Sequence, residues 1–341
     1  MFNTVNKLFY FLDTKLKIST VIIFILIIIS MIIETFSIGL VIPAITLLSD
    51  SNLAENYPFI SKILASLSPI KFFISSSSVE IKNHDIIAGG MIVFLIVYLI
   101  KAIYLLFFYI VKGKFIFKLE HSLTQQFIKG YLRLPYSFFS SKNSSELIRN
   151  IAYETRGLSN SVDLFLTLLT ELFVLIGIVS LLIYVQTAIA LLTLFIFGVA
   201  TYYFHFFTKK KIFNLGQTRQ IHEERRLNFL NQILGGIKEV KIYNTETEFV
   251  KNYLSTSNKV FKSDMWMNII NLSPKLWLEL IAVFSLTILI FAMILQSDEQ
   301  ISIIATLALF AAAAFRLLPS INRAVNSVQK IKYYLPIINT L

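Results

Sequence analysis

Long uninterrupted apolar stretches alternate with long polar ones along this chain, and the apolar stretches set its architecture. Six stand out: Ile18–Leu48, Ile86–Val111, Leu164–Val185, Thr187–Phe207, Leu276–Leu295 and Ile301–Leu318. About 20 apolar residues in helical conformation cross a hydrocarbon core of ~30 Å, so each stretch predicts a transmembrane helix. The connections between them are unequal. Spans three and four meet around Gln186, and spans five and six across the acidic turn Gln296–Gln300, whereas residues 112–163 and 208–275 are long and polar. These two connections hold few Pro or Gly and repeat apolar residues at helical spacing, as in Phe229, Ile233, Ile237 and Val240. That pattern predicts helices continuing well beyond the membrane. A fourth helix running from Thr187 to Leu234 would be ~72 Å long, so about 40 Å would project from the bilayer.

Each projecting arm carries a break suited to a short transverse helix. In the first, Pro135 disfavours helix at Leu134, and Asn143 with Glu146 offers an N-cap and its third-residue partner. In the second, Gly235 and Gly236 loosen the helix, and Thr245 with Glu248 has the Thr-x-x-Glu pattern of a capping box.

Composition agrees with a membrane protein: 56% of the residues are hydrophobic and 15% charged. The net charge of +11 follows from topology rather than from nucleic-acid binding. Of 31 Lys and Arg, 27 fall on one side of the six spans, which predicts that both termini and the two basic connections are cytoplasmic. No cysteine is present, and His84, His121, His205 and His222 show no metal-ligand spacing, which argues against thiol, disulfide and metal chemistry. The first apolar run is too long for a cleavable signal peptide and lacks a small-residue cleavage site.

Ionisable residues inside the spans are Glu34, Lys101, Glu171 and Glu279, with Lys275 and Arg316 near cytoplasmic ends. A lone charge at the bilayer centre costs at least ~2.5–3.5 kcal/mol, so these residues are expected to face the bundle or a wet cavity. Lys275 and Glu279 are spaced to pair along one helix, Lys101 is long enough to snorkel, and Glu34 and Glu171 suit interhelical hydrogen bonds. No paired carboxylates or activated nucleophile are recognisable, so no catalytic residue is assigned.

The segment LPYSFFSSKNSSELIRNIAYETRGLSN, with its Leu-Pro-x-x-Phe-Phe run and Glu-Leu-x-Arg step, resembles the first intracellular loop of ABC exporters. Ser145 stands where that family usually has Gly. The segment LNFLNQILGGIKEVKIYNTETEFVKNY resembles the second loop, through its Gly-Ile-Lys-x-Val-Lys core. The resemblance covers nearly the whole chain and implies an all-α type-1 transmembrane domain, a half-transporter with six spans extended into the cytoplasm. It divides the chain into an amphipathic elbow (1–17), the transmembrane domain (18–318) and the start of a linker (319–341). It implies coupling helices around Phe138, Phe139 and Glu146, and around Tyr243, Thr245 and Glu248, that dock on nucleotide-binding domains. The second arm would reach across to the partner in a homodimer in the bacterial inner membrane.

No GxxxxGK[ST] phosphate loop occurs in the chain, so ATP and Mg would be held by a nucleotide-binding domain either beyond residue 341 or on a separate subunit. Within the family, IETFSIGLVIPAITLLSD, the 37-residue external connection Ser49–Asp85 and FRLLPSINRAVNSVQKIKYY resemble lipid-linked oligosaccharide flippases. Phe59, Ile60, Ile63, Leu64 and Leu67 share one helical face that suits either the outer membrane interface or a lid on the bundle. The flippase likeness implies a cavity that offers Arg316, Lys101 and Lys275, with Glu34 nearby, to an anionic lipid head group. An exporter of peptide, glycolipid or drug is the rival within the fold, and a non-transporting scaffold or sensor the rival outside it.

Overall fold

The computed structural model describes residues 14–41, 43–44, 83–141, 144–185, 187–296 and 300–340. Its described residues form nine α-helices and one π-turn. They run α1 Thr14–Gly39, α2 Asn83–Leu132, α3 Tyr136–Ser141, α4 Ser144–Arg149, the π-turn Asn150–Glu154, α5 Thr155–Val185, α6 Thr187–Gly235, α7 Ile237–Ile242, α8 Glu246–Gln296 and α9 Gln300–Thr340. Thr14–Lys17, read from sequence as the end of an elbow, form the first turn of α1. The rest of that elbow, residues 49–82 of the external connection with Phe59 to Leu67, and Asn143 lie outside the described residues.

The expected helix lengths are observed. Helices α2, α6 and α8 have 50, 49 and 51 residues, each ~75 Å long and more than twice a ~30 Å hydrocarbon core. Among the described residues, four segments are long and apolar enough to cross a membrane: Leu16–Gly39, Ile86–Leu132, Glu146–Val185 and Glu246–Phe284. The other two expected spans, 187–207 and 301–318, fall on α6 and α9. The outer face of α2 is almost wholly unpacked, with Leu95, Leu99, Ile103 and Leu106 all exposed, as suits a helix that faces lipid or another subunit.

Two groups of helices meet along α9. In the first, Ile23 and Ile27 of α1 pack on Phe108 and Phe115 of α2 and Leu166 of α5. Further along, Ile38, Val174, Ile178 and Leu182 join Ala313 and Leu317 of α9. In the second, Ile212 of α6 packs on Met267 and Ile270 of α8 and Tyr333 of α9. Two glycines let helices approach closely. A Cβ at Gly177 would lie 2.2 Å from Thr35 Oγ1, and one at Gly216 would lie 2.3 Å from the Tyr333 carbonyl oxygen.

The breaks have local causes. At Pro135, α2 has already ended, the Arg133 and Leu134 amides turn back to Gly130 and Tyr131, and Pro135 accepts from the Phe138 amide as α3 begins. In the second arm the short helix lies earlier than expected. Gly236 separates α6 from α7, and Asn244 takes the left-handed conformation (φ 51°) at a corner. Asn tolerates that region better than most residues. Residues 243–245 are therefore a turn, and Glu248 and Val250 belong to the first turns of α8. The Thr245 carbonyl accepts from the Glu248 and Phe249 amides, and the Thr245 amide donates to Val240.

Gly216 gives a direct test of the α6–α9 contact. The obstructing atom is a backbone oxygen that no rotamer change can move, so Gly216→Ala should cost about 1–3 kcal/mol and lower the unfolding midpoint in detergent. Gly198→Ala on the same helix meets no atom within 4 Å and should be neutral or stabilising through helix propensity.

Candidate functional site

Three of the four residues singled out for a substrate cavity come together. Glu34 of α1, only 1% exposed, accepts two hydrogen bonds from Arg316 of α9, Nε to Oε2 at 2.7 Å and Nη2 to Oε1 at 2.8 Å. Lys101 of α2 approaches the same carboxylate, with Nζ 3.0 Å from Oε2. Its ammonium also donates to Ser37 Oγ at 3.0 Å, whose own hydroxyl donates to the Glu34 carbonyl, and lies 5.0 Å from the Tyr98 ring centroid. Lys101 therefore pairs within the bundle and does not snorkel. One carboxylate thus joins three helices and holds two cations, leaving one net positive charge at the site. Lys275 is elsewhere: its Nζ is 3.8 Å from Glu279 on the exposed side of α8, the i,i+4 pair read from sequence.

A second clamp lies one helical heptad further along α9. Arg323 donates from Nε to Glu171 Oε1 and from Nη2 to Oε2, the latter at 3.3 Å, tying α9 to α5. The Lys112 ammonium of α2 reaches Asp163 at 2.8 Å and Thr167 Oγ1 at 2.6 Å, both on α5. Sequence reasoning found Glu171 but not Arg323 or Lys112. The available signal was the spacing of seven between Arg316 and Arg323, which places both on one helical face. Buried ion pairs of this kind add little stability over apolar packing, but losing one partner leaves an uncompensated charge.

Between α5, α6 and α9 lies an apolar cavity of 540 Å³, walled by residues that include Leu172, Phe197, Gly198, Leu317 and Val325. Polar groups gather at one end, where Thr201 and His205 line it. His205 Nε2 is 2.6 Å from Lys332 Nζ, so the imidazole nitrogen accepts from the ammonium. Its size and lining suit a hydrocarbon chain.

Further along the arms the contacts become polar. Arg149 of α4 lies 3.2 Å from Glu154 and also donates to Glu224 of α6. Glu154 is buried, and a polar cavity of 210 Å³ adjoins it, lined by Arg149, Glu154, Arg156, Arg219 and Glu223 among others. Arg219 lies 3.2 Å from Asp264 of α8, which accepts from the Tyr333 hydroxyl at 2.7 Å. Burial first, and then that hydrogen bond to Asp264, push the Tyr333 phenol far above its usual range.

The arm tips present apolar and aromatic side chains outward. Leu132 and Tyr136 are exposed at the first tip, where Phe138 stacks on Tyr131 and meets Phe139 edge to face. Leu234, Ile237, Ile242 and Tyr243 are exposed at the second. Glu146 sits in the first turn of α4, and Glu248 in that of α8 with Glu246, which accepts from Lys241 at 3.0 Å. Among the described residues no group of three His, Asp or Glu side chains is placed to hold a metal ion.

The arrangement is therefore a membrane helix bundle with long arms, internal charge clamps and outward-facing arm tips. Residues 57–318, well over half of the chain, match the family described as the ABC transporter transmembrane region. The chain belongs to that family, and it is a multi-pass membrane domain of an ABC transporter.

Proposed function

We propose that this domain drives export of an anionic amphiphile, a polyprenyl-diphosphate-linked glycan or a lipid of similar chemistry, from the inner membrane of a bacterium. The observation that carries the reading is the pairing of two cations, Lys101 and Arg316, with the single carboxylate of Glu34 inside the bundle. A second anion is needed to balance that site. A phosphate shared by an arginine and a lysine gains far more in a dry-walled cavity than in water. The domain works as a homodimer with six spans per copy and cytoplasmic termini, the orientation that 27 of 31 basic residues favour.

ATP and Mg act on nucleotide-binding domains that dock at the arm tips. The exposed Leu132, Tyr136, Ile237, Ile242 and Tyr243 support this, because a large apolar surface far along a polar arm implies a protein partner. Phe138, Phe139 and Glu146 shape the first contact, and Tyr243, Thr245 and Glu248 the second. Rigid short helices on ~40 Å levers would carry the closure of those domains to the bundle.

Two experiments follow. In the transporter equipped with its ATPase domains, Arg316→Gln and Lys101→Gln each leave Glu34 one cation and so preserve the fold. Both variants should lose translocation of a diphosphate lipid by roughly ten-fold or more, as expected for removing a charge-assisted contact. Unchanged translocation in both would replace the anionic substrate with a peptide or neutral lipid. Replacing Tyr243–Glu248 by Gly and Ser should abolish substrate-stimulated ATP hydrolysis while basal hydrolysis by the nucleotide-binding domains persists. Stimulation at the unaltered level would remove the second tip from the coupling path.

A further inference from the structure

The lining of the α5–α6–α9 cavity follows two helical stripes, and the next position along each is a lysine. On α6 the wall residues Leu194, Gly198, Thr201 and His205 recur at steps of three and four, and the next position is Lys209. On α9 the corresponding stripe is Leu317, Ile321, Ala324 and Val328, and its next position is Lys332. From Leu194 to His205 the wall rises ~16 Å along the helix, about half of a ~30 Å hydrocarbon core and so the depth of one leaflet. With the orientation proposed above, the lysine end is the cytoplasmic end.

The polar end lacks an acid. Among the described residues neither Lys209 nor Lys332 has a carboxylate partner: Lys209 lies over Phe206, and Lys332 against His205. Lys209 is close enough for its charge to act on both His205 and Lys332. This contrasts with Lys101, Lys112, Arg316 and Arg323, each of which meets a carboxylate. Because His205 accepts from Lys332 at Nε2, its ring proton is on Nδ1 and available to donate. The Thr201 hydroxyl is buried at the wall with no hydrogen-bond partner among the described residues. An apolar slot one leaflet deep that ends in two lysines and an imidazole complements an anionic head group on a hydrocarbon chain.

We infer that this cavity binds a phosphate-headed lipid of the cytoplasmic leaflet, one chain in the slot and the phosphate on Lys209, Lys332 and His205. The site is separate from the Glu34 cluster, and its orientation rests on the proposed topology. The same chemistry is offered by the transported amphiphile and by a resident anionic phospholipid.

The test uses the full-length transporter in phosphatidylcholine vesicles doped with a chain-diazirine phosphatidylglycerol, or with the matching phosphatidylcholine probe. After irradiation, labelled peptides are mapped by mass spectrometry. The phosphatidylglycerol probe should label the wall segments 194–205 and 317–328 roughly ten-fold more than the phosphatidylcholine probe, because nearby lysines favour the anionic head group. Lys209→Gln with Lys332→Gln should reduce it to the phosphatidylcholine level. Should the double variant fail to assemble, Lys209→Gln alone carries the test, since Lys209 is exposed. Gly198→Leu projects into open space and should reduce labelling by both probes without loss of fold.

Displacement of the probe by an unlabelled diphosphate lipid would identify the site as a loading point for substrate. Retention of the probe would identify a resident phospholipid, and either result supports the lipid site. Equal labelling by the two probes that neither set of variants changes, or labelling confined to other faces, overturns it. Labelling is read without turnover, so a protein that moves no amphiphile can still show the site, and no labelling of the wall in the unaltered, transport-competent protein counts against the cavity alone.

Discussion

A carboxylate inside a hydrocarbon layer must find a cation, and in this chain that requirement fixes how the helices face one another. Glu34 is satisfied because α1 turns it inward and because α2 and α9 bring Lys101 and Arg316 to the same point. Apolar packing alone specifies such rotation poorly, because lipid tails are as apolar as the helix faces that would otherwise meet. Glu171 with Arg323, and Lys112 with Asp163, repeat the device along α5. The clamps join α1, α2, α5 and α9 to one another, so they hold one group of helices as a unit, while within the bundle α6 and α8 meet α9 through close backbone approach and apolar packing.

That division suits a transporter. The paired helices α6 and α8 form the second arm and meet the rest mainly through α9, at Gly216 and Tyr333 and across the apolar cavity. A body joined through small residues and an apolar slot can shift relative to a body held by ion pairs without stranding a charge in lipid. The arms extend the same two bodies into water, where Arg149, Glu224, Arg219 and Asp264 replace the apolar contacts.

Much of this was legible in the sequence because helix length and the position of breaks are local properties. Four helices of membrane length among the described residues, the polar continuations at helical spacing, and the breaks at Pro135 and at the Gly235–Gly236 pair appear where they were read. The short helix of the second arm was placed too late, since a Thr-x-x-Glu pattern does not reveal that Asn244 takes the left-handed corner and that α8 starts immediately after it. The charge clamps were legible only in part. Sequence shows that Glu34 and Glu171 need partners, but those partners are 282 and 152 positions away, and choosing among cations requires the rotational phase of helices relative to one another. The apolar cavity left no trace in composition, yet its two stripes, each followed by a lysine, are plain once α6 and α9 are seen side by side.

The central claim, that the Glu34 clamp sets the arrangement of α1, α2 and α9, is tested most directly by charge exchange in the purified transporter. Unfolding midpoints are compared for Glu34→Arg, Arg316→Glu and the two together. Each single reversal crowds like charges in a buried site and should cost about 3–5 kcal/mol. The double variant restores one opposite-charge pair, so its loss should be smaller than the sum of the two single losses by a coupling of about 1–3 kcal/mol. Single reversals that leave the midpoint unchanged, or a double variant whose loss equals the sum of the two, would contradict the claim.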